Sequence, residues 1–471
     1  MDGSTNWHLV LCSLIAVVAL SHAFCVYHKK QPIAVVDLAC WVTSAYFGLG
    51  PWVAFVYGKG RLPQEDFDIL TFTYLSIGLF LVGLYCAKIF SPKKLDNEGQ
   101  RQTGLFHLLQ NTPSVSFTAL LVFCGLVWAV RVLLAFQFGI GLSGTVTEEA
   151  LSNMPYAVFI IYSIFDSVAF ACAFCAAGFL FHAPKKKWQA LFIVLLELIW
   201  AYGQGRRWVL GLLVVVTLAF LSTGRRPKLS HLICSGALVG FLVLWAFPAF
   251  LAFRTQYLSS SSNREALSSI FEVGKDIATA EMAETSDMYR ENMAERPLIV
   301  GFNFRILEAQ NNCELMWGHA FANTFIWIIP SVFYPAKASV LLQSEENIQH
   351  HYGLPLVDTS SNWPAYATAD FGWCGPLFVG FLLGVLISLL EGFAWSQAKL
   401  YPLLGFCTLG VAVNIAITVE ETPLFAWENI RNLILLSIFL KITIPLFRSV
   451  RVFDGLWGKP NPGLPSKQFS A

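Results

Sequence analysis

Arg206 and Arg207 stand side by side in the stretch Ala201-Tyr-Gly-Gln-Gly-Arg-Arg-Trp-Val-Leu-Gly211, at the junction of two long apolar runs. Arginine presents a rigid fork of donors that suits phosphate and diphosphate groups. Arg254 closes the following apolar run. The polar stretch after it adds His319, the pair His350-His351 and several further charges. A histidine accepts a proton near neutral pH, so one of these could act as a general base, and an ordinary solvated pair fits His350-His351 equally well. The same arginines also suit two plainer roles, reaching to lipid headgroups or pairing with a loop carboxylate. A zinc site needs three or four ligands at tight spacing, and His350-His351-Tyr-Gly353 offers two.

Other ionisable residues fall inside apolar runs. Arg131 reads as half of a structural ion pair, while Asp166 and Glu197 are intramembrane carboxylates and therefore functional candidates. Glu420-Glu421 reads as a solvated rim at a helix end. Cys172 and Cys175 have the spacing of a redox pair, yet they sit mid-run without polar company and read as small hydrophobes.

The elements that must position these groups are helices in a bilayer. Of 471 residues, 56% are hydrophobic and 13% charged, and the mean hydropathy is +0.58. Soluble domains carry about 25% charge, and about twenty apolar residues span a bilayer as a helix. A net charge of +1 with no basic domain excludes a nucleic-acid partner. About eleven spans are expected, at 8–27, 33–57, 69–90, 116–140, 156–181, 188–203, 207–222, 230–253, 371–395, 399–419 and 429–447. The N-terminal stretch has no basic residue ahead of its apolar run, so 8–27 is read as an uncleaved first helix. No internal repeat stands out.

Basic residues in short loops mark the cytoplasmic side. Lys29-Lys30, Lys93-Lys94 with Arg101, Lys185-Lys-Lys187, Arg225-Arg226 with Lys228, and the tail with Arg448 and Arg451 all fall on one side of this alternation. The opposite loops include 141–155, with two glutamates and no basic residue, and 420–428. This count sets the N-terminus outside and the C-terminus inside. It also puts Arg206, Arg207 and Arg254 on the external face, where a lipid diphosphate would carry its charge. The chain divides into helices over 1–253, one large external loop over 254–370, and helices with a tail over 371–471. Within the loop, Ser259–Ser262 reads as a flexible start and 264–295 as a polar helical stretch. The semi-apolar piece 321–339 is too broken by Pro330 and Pro335 to span, and is expected to lie along the membrane or re-enter it.

Several motifs over 200–395 agree in order, spacing and sidedness with one family. They are Gly205-Arg206-Arg207 opening a span, Arg254 closing the next, and Asn303-Phe-Arg305-Ile-Leu-Glu308. They continue with Ile329-Pro-Ser-Val-Phe-Tyr-Pro-Ala-Lys337 and Ala369-Asp370-Phe-Gly-Trp-Cys-Gly375, running into a span with Gly380 and Gly384. This pattern resembles the bacterial O-antigen and exopolysaccharide repeat-unit polymerases. Family members often carry an arginine after the Ile-Pro, where this chain has Ser331, and a Gly-Glu pair before the Phe-Gly, where it has Pro364-Ala-Tyr-Ala367. Asp370 is an available substitute for that carboxylate, and Lys337 keeps the basic position after the Tyr-Pro.

The resemblance implies an all-α polytopic protein of the bacterial inner membrane with a GT-C-like glycosyltransferase architecture. It would join oligosaccharide units carried on undecaprenyl diphosphate at the periplasmic face. Arg206, Arg207 and Arg254, with Arg305 or Lys337, would hold the diphosphate, and His350, His351 and Asp370 are candidates for the base. No cofactor is implied, and no metal is expected because the arginines would neutralise the diphosphate. A chain-length regulator and a flippase of lipid-linked sugars are natural partners. Trp317 and Trp363 are candidates for stacking on sugar rings. The alternatives are an O-antigen ligase with the same diphosphate chemistry, a lipid-linked sugar transporter, and a scaffold of an export complex. The Ile-Pro…Lys and Phe-Gly-x-x-Gly elements favour the polymerase over the ligase.

Overall fold

The computed structural model describes residues 3–28, 33–52, 67–91, 93–95, 101–110, 116–138, 156–204, 206–224, 299–329, 333, 334, 336, 337, 341, 342, 344–355, 362–398 and 401–447. These residues are helical apart from short turns and a two-stranded antiparallel ribbon, Lys93–Leu95 with Arg101–Thr103. The expected span 230–253, Arg254, Ser259–Ser262, the polar stretch 264–295 and Ser331 lie outside the described residues.

The first helices are α1 Gly3–His28, α2 Val35–Ser44 and α3 Phe67–Ala87. After the ribbon come α4 Gly104–Gln110, α5 Phe117–Phe138, α6 Tyr156–His182, α7 Lys187–Gln204 and α8 Arg206–Leu221. Four short helices follow: α9 Ile299–Ala309, α10 His319–Trp327, α11 Ser344–Tyr352 and α12 Trp363–Phe371. The last three are α13 Gly375–Ala398, α14 Pro402–Ile417 and α15 Pro423–Phe447. Apolar runs adopt this form because a helix satisfies every backbone group within the segment.

Among the described residues, three stretches are long and apolar enough to cross a membrane: Trp7–Val26, Phe67–Phe90 and Trp363–Ala398. The pair Val168–His182 and Pro184–Ala201, bent by 119°, makes a fourth if counted as one span. Leu120–Leu134 within α5, Gly211–Leu221 within α8 and Pro402–Ile417 are shorter apolar stretches among the described residues. A helical membrane protein fits these observations. The expected run 33–57 takes a different form: α2 has ten residues and passes into a π-helical turn, Ala45–Leu49. Within that turn Gly48 touches α1, where an added Cβ would stand 2.8 Å from the Ala16 nitrogen.

The chain packs as two units that cut across the linear division into 1–253, 254–370 and 371–471. One comprises Met1–Thr103, Val239–Leu389 and Ala412–Arg431. Its α3 and the start of α13 meet through glycines. A Cβ at Gly380 would collide with the Phe80 carbonyl, one at Gly83 with the Leu377 carbonyl, and one at Gly384 would lie 2.6 Å from the Ala87 Cβ. Small residues at this spacing let helix backbones approach closely. Gly372 belongs to a different feature, since its φ of +70° makes the sharp exit from α12. At the base of α2, Asp37 accepts from the Ala34 N–H (2.9 Å) and from Lys88 Nζ (2.7 Å). That part-buried pair ties α2 to the end of α3.

The second unit comprises Gly104–Leu238, Leu390–Val411 and Asn432–Ala471. Its buried ion pair is Arg131 Nη1 to Glu197 Oε2 at 2.9 Å, joining α5 to α7. Trp128 Nε1 donates to the other Glu197 oxygen at 2.8 Å, and the Arg131 guanidinium lies 4.9 Å over the Trp200 ring. Arg131 is thus the structural half-pair expected, and Glu197 is its counter-charge. Cys172 and Cys175 are free and buried among apolar neighbours. The side chain of Asp166 lies outside the described residues.

Candidate functional site

Four short helices carry most of the residues nominated for chemistry. Phe302 and Ile306 of α9, Met316 beside α10, Ala320 of α10, Ile348 and Tyr352 of α11, and Ala365, Tyr366 and Ala369 of α12 bury one common core. Each large apolar side chain buried in this way contributes about 1.5–3 kcal/mol, enough to hold helices too short to be stable alone.

At the centre stands α10. Gly318 precedes it and has no side chain to cap the first turn, so the cap comes from another helix. Asp370, at the end of α12 and fully buried, accepts from the Ala320 N–H at 2.9 Å and from the Phe321 N–H at 3.1 Å. At the other end of α10, Lys337 is 8% exposed and its Nζ donates to the carbonyls of Trp327 (2.8 Å) and Ile329 (2.7 Å). Its ammonium also lies 5.4 Å over the Trp327 ring. An anion at the amino end and a cation at the carboxyl end both match the helix dipole. Burial pushes the Lys337 pKa down, as does nearby Arg431, while Glu428 opposes them.

The last carbonyls of α12 are engaged one after another. Thr368 accepts from Gln310 Nε2 (2.7 Å), Ala369 from the Tyr352 hydroxyl (2.7 Å) and the Met316 N–H (3.1 Å), and Asp370 from the Trp317 N–H (3.0 Å). Groups that a helix end leaves open are here the frame on which residues 310–317 are laid. Burial raises the Tyr352 phenol pKa. Beside it, His351 donates from Nε2 to the Glu314 carbonyl at 2.8 Å, and its ring meets the Tyr352 ring edge-on at 4.8 Å. A carbonyl only accepts, so Nε2 carries a hydrogen and Nδ1 is the basic atom of the neutral ring.

His350 and His319 are exposed, as is Arg305 on α9. Arg206 and Arg207 occupy the first turn of α8, but their side chains, like Arg254, lie outside the described residues. The structure therefore brings Asp370, Lys337 and the segment before α10 into one assembly, with His351 at its edge. It engages Asp370 and Lys337 in holding α10. The semi-apolar piece begins as α10, whose Ala320 joins the common core while Phe325 faces outward, 54% exposed.

Two readings are corrected. Trp363 is 4% exposed and packs against Phe321 (5.8 Å) and Trp427 (6.2 Å), so its ring is closed to a sugar. Glu420 is a buried group, not a solvated rim, because the Tyr46 hydroxyl donates to its Oε1 at 2.7 Å. Gln310 and Tyr352 were not anticipated; the carbonyls they serve lie 58 and 17 residues away. Among the described residues no group of three His, Cys, Asp or Glu side chains is placed to hold a metal ion. No family model, curated protein or solved structure matches the chain.

Proposed function

We propose that this protein is a membrane-embedded glycosyltransferase that joins lipid-diphosphate-linked oligosaccharide units into a surface polysaccharide. The observation that carries the reading is the run of motifs from Gly205 to Gly384. Two of those motifs, at 303–308 and 369–375, contribute to a packed assembly centred on α10, which Lys337 of a third closes. The reading comprises eleven spans in a GT-C-like arrangement in a bacterial inner membrane, with N-terminus outside, C-terminus inside and α9–α12 in the periplasmic loop. A flippase supplies the lipid-linked unit and a chain-length regulator acts on the product.

In the reaction, the acceptor hydroxyl attacks the anomeric carbon of the donor glycan. The bond from that carbon to the diphosphate oxygen breaks, and its electron pair leaves with the lipid diphosphate. Arg206, Arg207 and Arg254, with Arg305, stabilise the developing negative charge. The hydroxyl proton passes to a histidine, His350 or Nδ1 of His351. Asp370 and Lys337 serve by fixing α10, since both already hold backbone groups.

The test is a reconstituted assay: purified protein in lipid, the cell's own lipid-linked oligosaccharide, and chain length read on a gel, with and without EDTA. Chain growth that survives EDTA and falls roughly 100-fold in Arg207→Ala supports the scheme. No chain growth from wild-type protein, or growth that needs added Mg²⁺, contradicts it.

A further inference from the structure

Trp317 has a positive φ of 51° and Gly318 follows with φ 92° and ψ −3°. The Met316 carbonyl accepts from the His319 N–H at 3.0 Å, closing the turn. These values describe a type I′ turn with tryptophan at its first central position, where glycine, asparagine or aspartate is the usual residue. Among the described residues Trp317 is the sole non-glycine with positive φ. Such a conformation costs on the order of 1–3 kcal/mol and persists where surrounding structure enforces it. The enforcement is visible: Met316 and Trp317 donate to the carbonyls of Ala369 and Asp370, and the Asp370 carboxylate holds the turn of helix that follows.

This framework supports an indole that is 71% exposed. Burial of the ring therefore does not explain the strain. The same segment exposes the polar side chains Asn311, Asn312, Glu314 and His319, and His351 joins it through the Glu314 carbonyl. An exposed aromatic ring in a segment that also carries exposed amide, carboxylate and imidazole groups complements a pyranose, with its apolar C–H face and hydroxyl rim.

We infer that Trp317 is a stacking platform for a sugar ring of the glycan substrate, and that Asp370 is the residue that positions it. The inference rests on the polymerase reading for the identity of the glycan, though the platform itself does not require polymerisation.

The probe is the oligosaccharide released by mild acid from the lipid-linked pool of the cells that make this protein, titrated against the full chain in nanodiscs. Trp317→Asn keeps a residue suited to positive φ and removes the ring. It should melt at or above the wild-type temperature while binding roughly tenfold more weakly. Trp317→Phe should retain most of the affinity. In Asp370→Asn, affinity should fall while Trp317→Asn added on top causes little further loss. Equal binding by wild type and Trp317→Asn, or no binding by wild type, overturns the inference. Unchanged sugar binding with weaker insertion into vesicles would make Trp317 a lipid anchor and overturn it too. If Trp317-dependent binding is found but deletion of the gene leaves polymer length unchanged, the polymerase reading fails and the platform stands. If deletion abolishes long polymer and Trp317→Asn binds normally, the reverse holds.

Discussion

Asp370 and Lys337 hold the two ends of one nine-residue helix. The carboxylate accepts from the Ala320 and Phe321 N–H groups at its amino end, and the ammonium donates to the Trp327 and Ile329 carbonyls at its carboxyl end. A helix this short depends on such contacts, because its own nucleation is unfavourable. Asp370→Asn leaves at least one buried backbone N–H facing an amide nitrogen or a weaker acceptor. The expected cost is about 1–3 kcal/mol, measured as a lower Tm in detergent and faster proteolysis between α9 and α12.

Lys337→Met keeps most of the side-chain stem and removes the donors, with an expected loss of about 1 kcal/mol near neutral pH. The pH dependence has a defined sign. Because the folded pKa lies below the ordinary lysine value of 10.5, the folded protein releases this proton before the unfolded chain does. Between the two values the unfolded state binds more protons, so the group's contribution rises with pH. A Tm series through that alkaline window should show a rise in wild type relative to Lys337→Met. A difference that shrinks with pH would contradict the assignment.

The buried pair of Arg131 and Glu197 gives a third prediction. Removing either charge alone, as Arg131→Met or Glu197→Leu, strands the other and should cost about 3–5 kcal/mol. The double variant should recover a large part of that loss, which a thermal-melt double-mutant cycle reads directly. Full additivity of the two losses would mean that the residues are not coupled.

Gly380 tests the packing of α3 on α13. A side chain there meets the Phe80 backbone, which cannot swing aside as a flexible side chain would. Gly380→Val should therefore sharply reduce the folded yield in membranes. Gly78, with nothing within 4 Å of an added Cβ, should accept alanine with little change.

Much of the helical layout was readable from apolar runs. The windows 116–140, 156–181, 188–203 and 207–222 correspond closely to α5, α6, α7 and α8. Run length alone did not reveal that the run at 33–57 passes into a π-helical turn at Ala45. Residue chemistry around the site was legible, whereas residue partners were not. Asp370 was recognisable as a lone carboxylate beside a Phe-Gly motif. Its donors lie 49 and 50 residues earlier, on a helix whose own cap position holds only glycine. Glu197 likewise lacked a visible partner, since Arg131 is 66 residues away. Trp317-Gly318 did carry a local signal, because a glycine in second place is a mark of this turn type. The tryptophan in first place is what hid it.

The most direct measurement compares surface and lipid-linked glycans, resolved by size, in cells with and without this gene. The account predicts that deletion replaces a long ladder with single repeat units, and that Arg207→Ala at normal protein level reproduces the loss. Long chains persisting on the carrier lipid would point instead to a ligase. An unchanged ladder would contradict the account.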